Sequence, residues 1–343
     1  VNPWWSTIKR AQLAILGINW LPKPSQTATL CWCPTVGTTL VTRISLNKRA
    51  GTLSASARML VTDNTLAAAT SLIAVASNTA SPNDTVNVSS LTSAEASTNA
   101  DFAIVPKGQG ALLAAIPDGT DVGGAKRGLY AVDLQLSRQS VNTIAYGGWS
   151  ALIGGYGNRA QGDYSFAMGI GCYATGSSSF SIGQTNTAAG TASVALGSSA
   201  SARISNQLAF AGREGMQSSL FSPNRSTADA TPAELFCDGT GISDARLVLT
   251  NYGTWTFEII VTAFCLASGE SEAFRFFGLI HRGANAAATA IVGTVVKEKV
   301  STTVWDFDVD ADTTNGSLRL QATGEAAKTV LWNASVRTRS EER

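Results

Sequence analysis

A glycine stands at every seventh position from Gly148 onward: Gly148, Gly155, Gly162, Gly169, Gly176, Gly183, Gly190 and Gly197. Glycine alone turns tight corners at positive φ, or lets two backbones touch, without a steric penalty. A fixed interval of glycines therefore implies a chain that repeats one short coil. The full unit is fourteen residues, because Gly162-Asp-Tyr-Ser-Phe-Ala-Met and Gly176-Ser-Ser-Ser-Phe-Ser-Ile match more closely than adjacent sevens do. Stacking the units gives an apolar column, Leu152, Phe166, Phe180, Val194 and Leu208. Two residues on, Met168, Ile182, Leu196 and Phe210 form a second column, with Gly154 as the exception. Ala160, Ala174, Ala188 and Ala202 form a third. Residues two apart share one face of a strand. The pattern predicts a parallel β-roll whose interior holds about two side chains per coil.

So thin a roll does not easily offset its ordering cost, since fixing each residue costs roughly 1–2 kcal/mol. Association around a threefold axis, burying a second column, is expected as part of the fold. The composition agrees. Charged residues are only 14% of the chain, against about a quarter in ordinary domains, and small side chains take their place.

The strings Ser165-Phe-Ala-Met-Gly169, Ser179-Phe-Ser-Ile-Gly183 and Ser193-Val-Ala-Leu-Gly197 resemble the head repeat of trimeric autotransporter adhesins. That repeat is also found in phage tail fibres and in some algal-virus attachment proteins. Residues 148–212 carry the likeness. The segment Asp101 to Gly119, followed by Lys126 to Gln135, resembles the neck that precedes such repeats in viral fibres and favours a virus over a bacterium.

Four regions follow: 1–100 an attachment region, 101–147 a neck, 148–212 the roll and 213–343 a terminal knob. Trp4, Ile8, Ala11, Ile15 and Ile18 have helical spacing over 4–19, after which alternation around residues 39–46 and a run at 57–62 read as strands. In the last third, Thr254 to Phe264, Val304 to Asp310 and Leu318 to Ala322 alternate as longer strands. With Asn315-Gly316 as a hairpin turn, they predict an antiparallel sandwich or jelly-roll-like knob. The expected fold class is all-β throughout: a trimeric parallel β-roll with fourteen-residue coils, a β knob and a mostly β N-terminal region.

No catalytic constellation is legible. His281 is the only histidine and reads as a strand-end residue. Asp306, Asp308, Asp310 and Asp312 alternate with Trp305, Phe307 and Val309 as the wet face of a strand; Ala311 stands where a calcium loop needs glycine. Cys31, Cys33, Cys172, Cys237 and Cys265 lack zinc spacing and read as free thiols. Gly108-Gln-Gly110 and Gly123-Gly124 lack the strand-to-helix setting of a phosphate loop, and Lys126-Arg127 reads as a solvated pair. Tyr252, Trp255 and Trp332 read as core residues before sugar-stacking ones. A net charge of +1 gives no footprint for nucleic acid, and the apolar runs are too short for membrane insertion.

The expectation is a non-enzymatic homotrimer on a virion surface, with no cofactor or metal. It meets other virion or tail proteins through residues 1–100 and a host surface glycan or protein through the knob. A bacterial adhesin head on a cell surface, and a capsule-degrading tailspike, are the alternatives.

Overall fold

The computed structural model describes residues 103–341, apart from 213–215 and 241–244, together with Asn99, Asp101 and four short strands nearer the N-terminus. Those strands form two antiparallel pairs: Ser45–Arg49 with Thr52–Ser56, and Ile73–Asn78 with Val88–Ser93. They belong to a unit, Val1–Ile104, separate from Val105–Arg343. The helix expected at 4–19, the run at 57–62, and Cys31 and Cys33 lie outside the described residues.

The second unit is all-β and begins as the expected parallel solenoid. Phe166–Ile170, Phe180–Gln184, Val194–Ser198 and Leu208–Ala211 stack in parallel with a fourteen-residue shift. A second row, Arg159–Ala160, Tyr173–Ala174, Thr187–Ala188 and Ser201–Ala202, keeps the same shift. The stack also reaches back through Ala151–Leu152 and Val132–Asp133 to Leu112–Leu113, ahead of the first periodic glycine.

Three placements differ from the sequence reading, two of them for one reason. Ala151 pairs with Phe166, so this coil is fifteen residues long and Leu152 aligns with Ala167. Successive side chains on a strand point to opposite faces, and a slip of one residue moves a side chain from one face to the other. Leu152 therefore leaves the Phe166, Phe180, Val194, Leu208 column and is fully buried inside the roll. The same extra residue puts Gly147, and not Gly148, in the glycine column. A β-carbon on Gly147 would collide with the carbonyl of Gly162, whereas one on Gly148 would meet nothing nearer than the Asp163 carboxylate at 3.5 Å.

The third difference concerns what lies inside. The interior rows are Leu152, Ala167, Ser181, Ala195, Ala209 on one side and Ala160, Ala174, Ala188, Ala202 on the other, all fully buried. The large columns point outward: Phe166, Phe180, Val194, Leu208, Ile182 and Leu196 are half-buried, and Met168 and Phe210 are exposed. From Ala167 onward the lumen is filled by small side chains, with Leu152 the one large residue of these rows. The alternation is the same whichever face is inside.

Glycine is needed where consecutive coils touch. At Gly183 φ is +124°, and an added β-carbon would strike the carbonyl of Gly197 in the next coil. Asparagines bind the same corners: Asn186 Nδ2 donates to Gly197 O at 2.9 Å and Oδ1 accepts from Ala200 N at 2.7 Å. Asn158 repeats this on Gly169 and Cys172.

Past the last coil, Met216–Phe221 pairs antiparallel with Leu208–Ala211 and then with Val330–Glu341. The roll's sheet thus runs unbroken into the knob, fourteen strands in all. Thr254–Phe264 and its neighbours Ser271–Arg282 and Val330–Glu341 form the long part. A second sheet, built on Ser317–Thr323 with Asp306–Asp312, Leu247–Val248 and Ala233–Glu234, closes over it. Between them lie Trp255, Phe257, Phe274, Phe276, Trp305, Phe307 and Trp332, a core of ordinary large side chains. The expected sandwich is the observed one, and the turn at Asn315-Gly316 closes its hairpin with Asn315 Nδ2 donating to Asp312.

Candidate functional site

The roll offers a face and the knob offers a cleft. Outward columns on the roll continue into the outer face of the knob sheet, where Leu220, Ile260, Phe264 and Phe277 are exposed. Phe166 and Phe180 stack with ring centroids 4.8 Å apart. This apolar face is flanked on the knob by the Glu258–Arg275 pair at 3.0 Å, exposed and therefore of small energetic weight.

A second aromatic row is absent from the sequence reading. Tyr130, Trp149 and Tyr164 occupy successive coils at one corner, each at φ near +55°, and stack at 5.3 and 5.2 Å. Ser178, Ala192 and Asn206 hold the same left-handed conformation in later coils, so the corner is imposed by the coil and the choice of ring is free. The signal that marks it is positional: the aromatic stands two residues before each outer strand.

The cleft opens where the two sheets of the knob separate. Asn224–Thr227 pairs with Val330–Glu341 of the long sheet, and Ala233–Glu234 pairs with Ser317–Thr323 of the other. The connection 228–232 crosses between them and borders a volume of about 440 Å³. Arg225, Asp229 and Glu234 line it. Glu234 Oε1 lies 3.4 Å from Arg246 Nε, and the Arg225 and Arg246 guanidiniums sit 5.8 and 5.0 Å from the centroid of the Phe236 ring. Burial pushes the Glu234 carboxyl above its ordinary range, against the pull of Arg246. Asp229 is held below it by the backbone N–H of Thr231, which donates to it at 2.8 Å. No spacing rule connects these positions.

The residues singled out from sequence fall elsewhere. Nδ1 of His281 lies 2.9 Å from the Thr254 hydroxyl at the end of paired strands. Lys297 Nζ bridges Asp306 and Asp308 at 2.8 and 2.9 Å, and Arg319 grips Asp310 with two bonds. Trp255 and Trp332 are core residues, while Tyr252 is exposed on a turn. Arg127 departs from expectation. It is buried and bonds Asp133 at 2.6 Å, with Arg138 on the same carboxylate at 3.1 Å. Two guanidiniums on one buried carboxylate fix the first coils, and their Nη1 atoms hold the Gly123 and Val122 carbonyls. Among the described residues no three or more His, Cys, Asp or Glu side chains gather as a metal site.

No protein-family model and no curated protein matches the chain. Solved structures do. The tailspike of Acinetobacter baumannii bacteriophage Fri1, a capsular polysaccharide depolymerase, matches 60% of this chain at 8% identity and TM-score 0.24. The tailspike of Acinetobacter baumannii phage AM24 matches 66% at 7% identity and TM-score 0.20. The chain spans less than half of either tailspike, 44% and 48% of their lengths. A capsular polysaccharide depolymerase is among the similar structures, so the expectation of a non-enzymatic chain does not stand. It rested on missing motifs, and glycoside cleavage needs only two carboxyls brought together by the fold.

Proposed function

We propose that the chain is the receptor-binding subunit of a homotrimeric tail fibre or spike on a virion. In this reading the roll is the spacer, residues 213–343 meet a glycan or protein of the host surface, and residues 1–100 join the particle. The observation that carries it is the outward apolar face. A protomer that fills its lumen with alanine and leaves Phe166, Phe180, Ile182 and Leu196 half-covered has its larger hydrophobic term still to gain. Completing the burial of each is worth roughly 1 kcal/mol. Three copies packed by that face would make a rod, and a rod ending in three knobs gains avidity from weak single contacts.

A second reading has its own observation. Asp229 and Glu234 border one cleft with their acidities displaced in opposite directions, the pattern of a base and an acid that cut a glycosidic bond. A spike that binds a surface polysaccharide and then cleaves it would use both. One experiment serves both readings. Purified chain is mixed with candidate host cells, and adsorption and released reducing ends are followed together. Adsorption that blocks the intact particle supports attachment, and reducing ends that accumulate with time add cleavage. A folded chain that adsorbs to no host of the particle contradicts the proposal.

A further inference from the structure

The cleft between the two knob sheets has the character of a site for a polyhydroxylated ligand. Its volume, about 440 Å³, lies within the range of small-ligand sites, roughly 300–1,000 Å³. Its lining is mixed: Arg225, Asp229 and Glu234 stand beside the apolar Pro232 and Phe236. Arg225 Nη1 donates to the Glu234 backbone carbonyl at 3.3 Å. Among the described residues no carboxylate lies within ion-pair distance of it. Most of its N–H donors remain available, and the Phe236 face steadies the guanidinium in one orientation. Thr231 borders the same cleft, and Asp229 is exposed with its carboxylate fixed by the Thr231 N–H.

The position is as informative as the chemistry. The cleft is formed by Asn224–Thr227 and Ala233–Glu234. Ser226 shares the outer face with Leu331, whereas Arg225, paired with the core residue Trp332, points to the opposite face, so three copies joined by the outer face would leave the Arg225 side open. We infer that this cleft holds a saccharide of the host surface, with Arg225 and Glu234 as the side chains that bind its hydroxyls and Asp229 with Thr231 closing the rim. A forked guanidinium and planar carboxylates offer paired donors and acceptors, the arrangement that adjacent ring hydroxyls require. Burial raises the Glu234 carboxyl, which in its protonated form donates as well as accepts. The inference rests on the attachment reading, since it names where and what that attachment contacts.

The test uses the full chain and the purified surface polysaccharide of a strain to which the wild-type chain adsorbs. Binding is titrated for wild type, Arg225→Ala, Glu234→Gln and, as a surface control, Lys297→Ala. Arg225→Lys keeps the charge and removes the fork, and it replaces Arg225→Ala should the alanine variant melt early. The Arg225 and Glu234 variants are expected to weaken binding at least tenfold with melting temperature and sedimentation unchanged, and Lys297→Ala to stay within twofold. Folded variants of Arg225 and Glu234 that bind within twofold of wild type overturn the cleft and leave attachment standing. A wild-type chain that adsorbs to no strain overturns both.

Discussion

The roll and the knob share one fourteen-stranded sheet and solve burial in opposite ways. In the knob, a second sheet folds over the first, and Trp305, Phe307 and Trp332 fill the space between them. In the roll the chain returns on itself within fourteen residues, the lumen from Ala167 onward takes alanine and serine, and the large residues of those coils face outward. Identical period-2 patterning thus has two meanings, set by the distance to the opposing layer. The knob closes a core of large side chains within one chain, although its outer face still exposes Leu220, Ile260, Phe264 and Phe277. The roll leaves Phe166, Phe180, Ile182 and Leu196 half-buried in the single chain.

The largest test of that contrast lies in the coil corners. Gly183→Val puts a β-branched residue at φ +124° and against the Gly197 carbonyl, costing about 4 kcal/mol or more per protomer. Calorimetry should show the roll transition collapse while the knob transition holds. Gly148→Ala, outside the column, should move neither by more than about 0.5 kcal/mol. Equal effects of the two would put Gly148 back in the column.

The knob carries a pH sensitivity at Glu272. Burial alone would raise the Glu272 carboxyl. The Ser301 N–H at 2.7 Å, the Ser301 and Thr303 hydroxyls and the Ala273 N–H outweigh it and hold the group at about 2. A carboxyl lowered in the fold stabilises above its unfolded value, near 4.5. That stabilisation is lost as pH falls from about 4.5 to about 2, on the order of 3 kcal/mol in total. Glu272→Gln should flatten this part of the knob's acid melting curve. A curve as steep as wild type would assign the acid sensitivity elsewhere.

A smaller effect distinguishes the two regions by concentration. Phe180→Ala removes a ring from the outer column, and the loss, about 1–2 kcal/mol per protomer, should appear as a melting temperature that falls on dilution. The same loss at every concentration would mean that Phe180 packs only within its own chain.

Much of this was legible in the sequence because the constraints are local. The glycine interval reports contact between successive coils, and alternation from Thr254 to Phe264 with the Asn315-Gly316 turn reports the sandwich. The register of Leu152 was hidden because Gly147 and Gly148 are adjacent, and either can begin the series. The start of the stack was hidden by uneven coils: Leu112 pairs with Val132 twenty residues on, and Val132 with Ala151 nineteen on. Which face is interior could not be read from a pattern of period two, and the general expectation that large apolar residues lie inside gave the wrong side. The cleft had no signal because Arg225, Asp229, Glu234 and Arg246 meet only where two sheets diverge.

We propose that the outward columns form an interface between copies of this chain. Sedimentation equilibrium of the purified chain over a wide dilution series tests it most directly. The account predicts the mass of three 35.6 kDa chains, reduced when Phe180 and Ile182 are both changed to Ser. A folded, stable species at the mass of one 35.6 kDa chain across the whole series would contradict it.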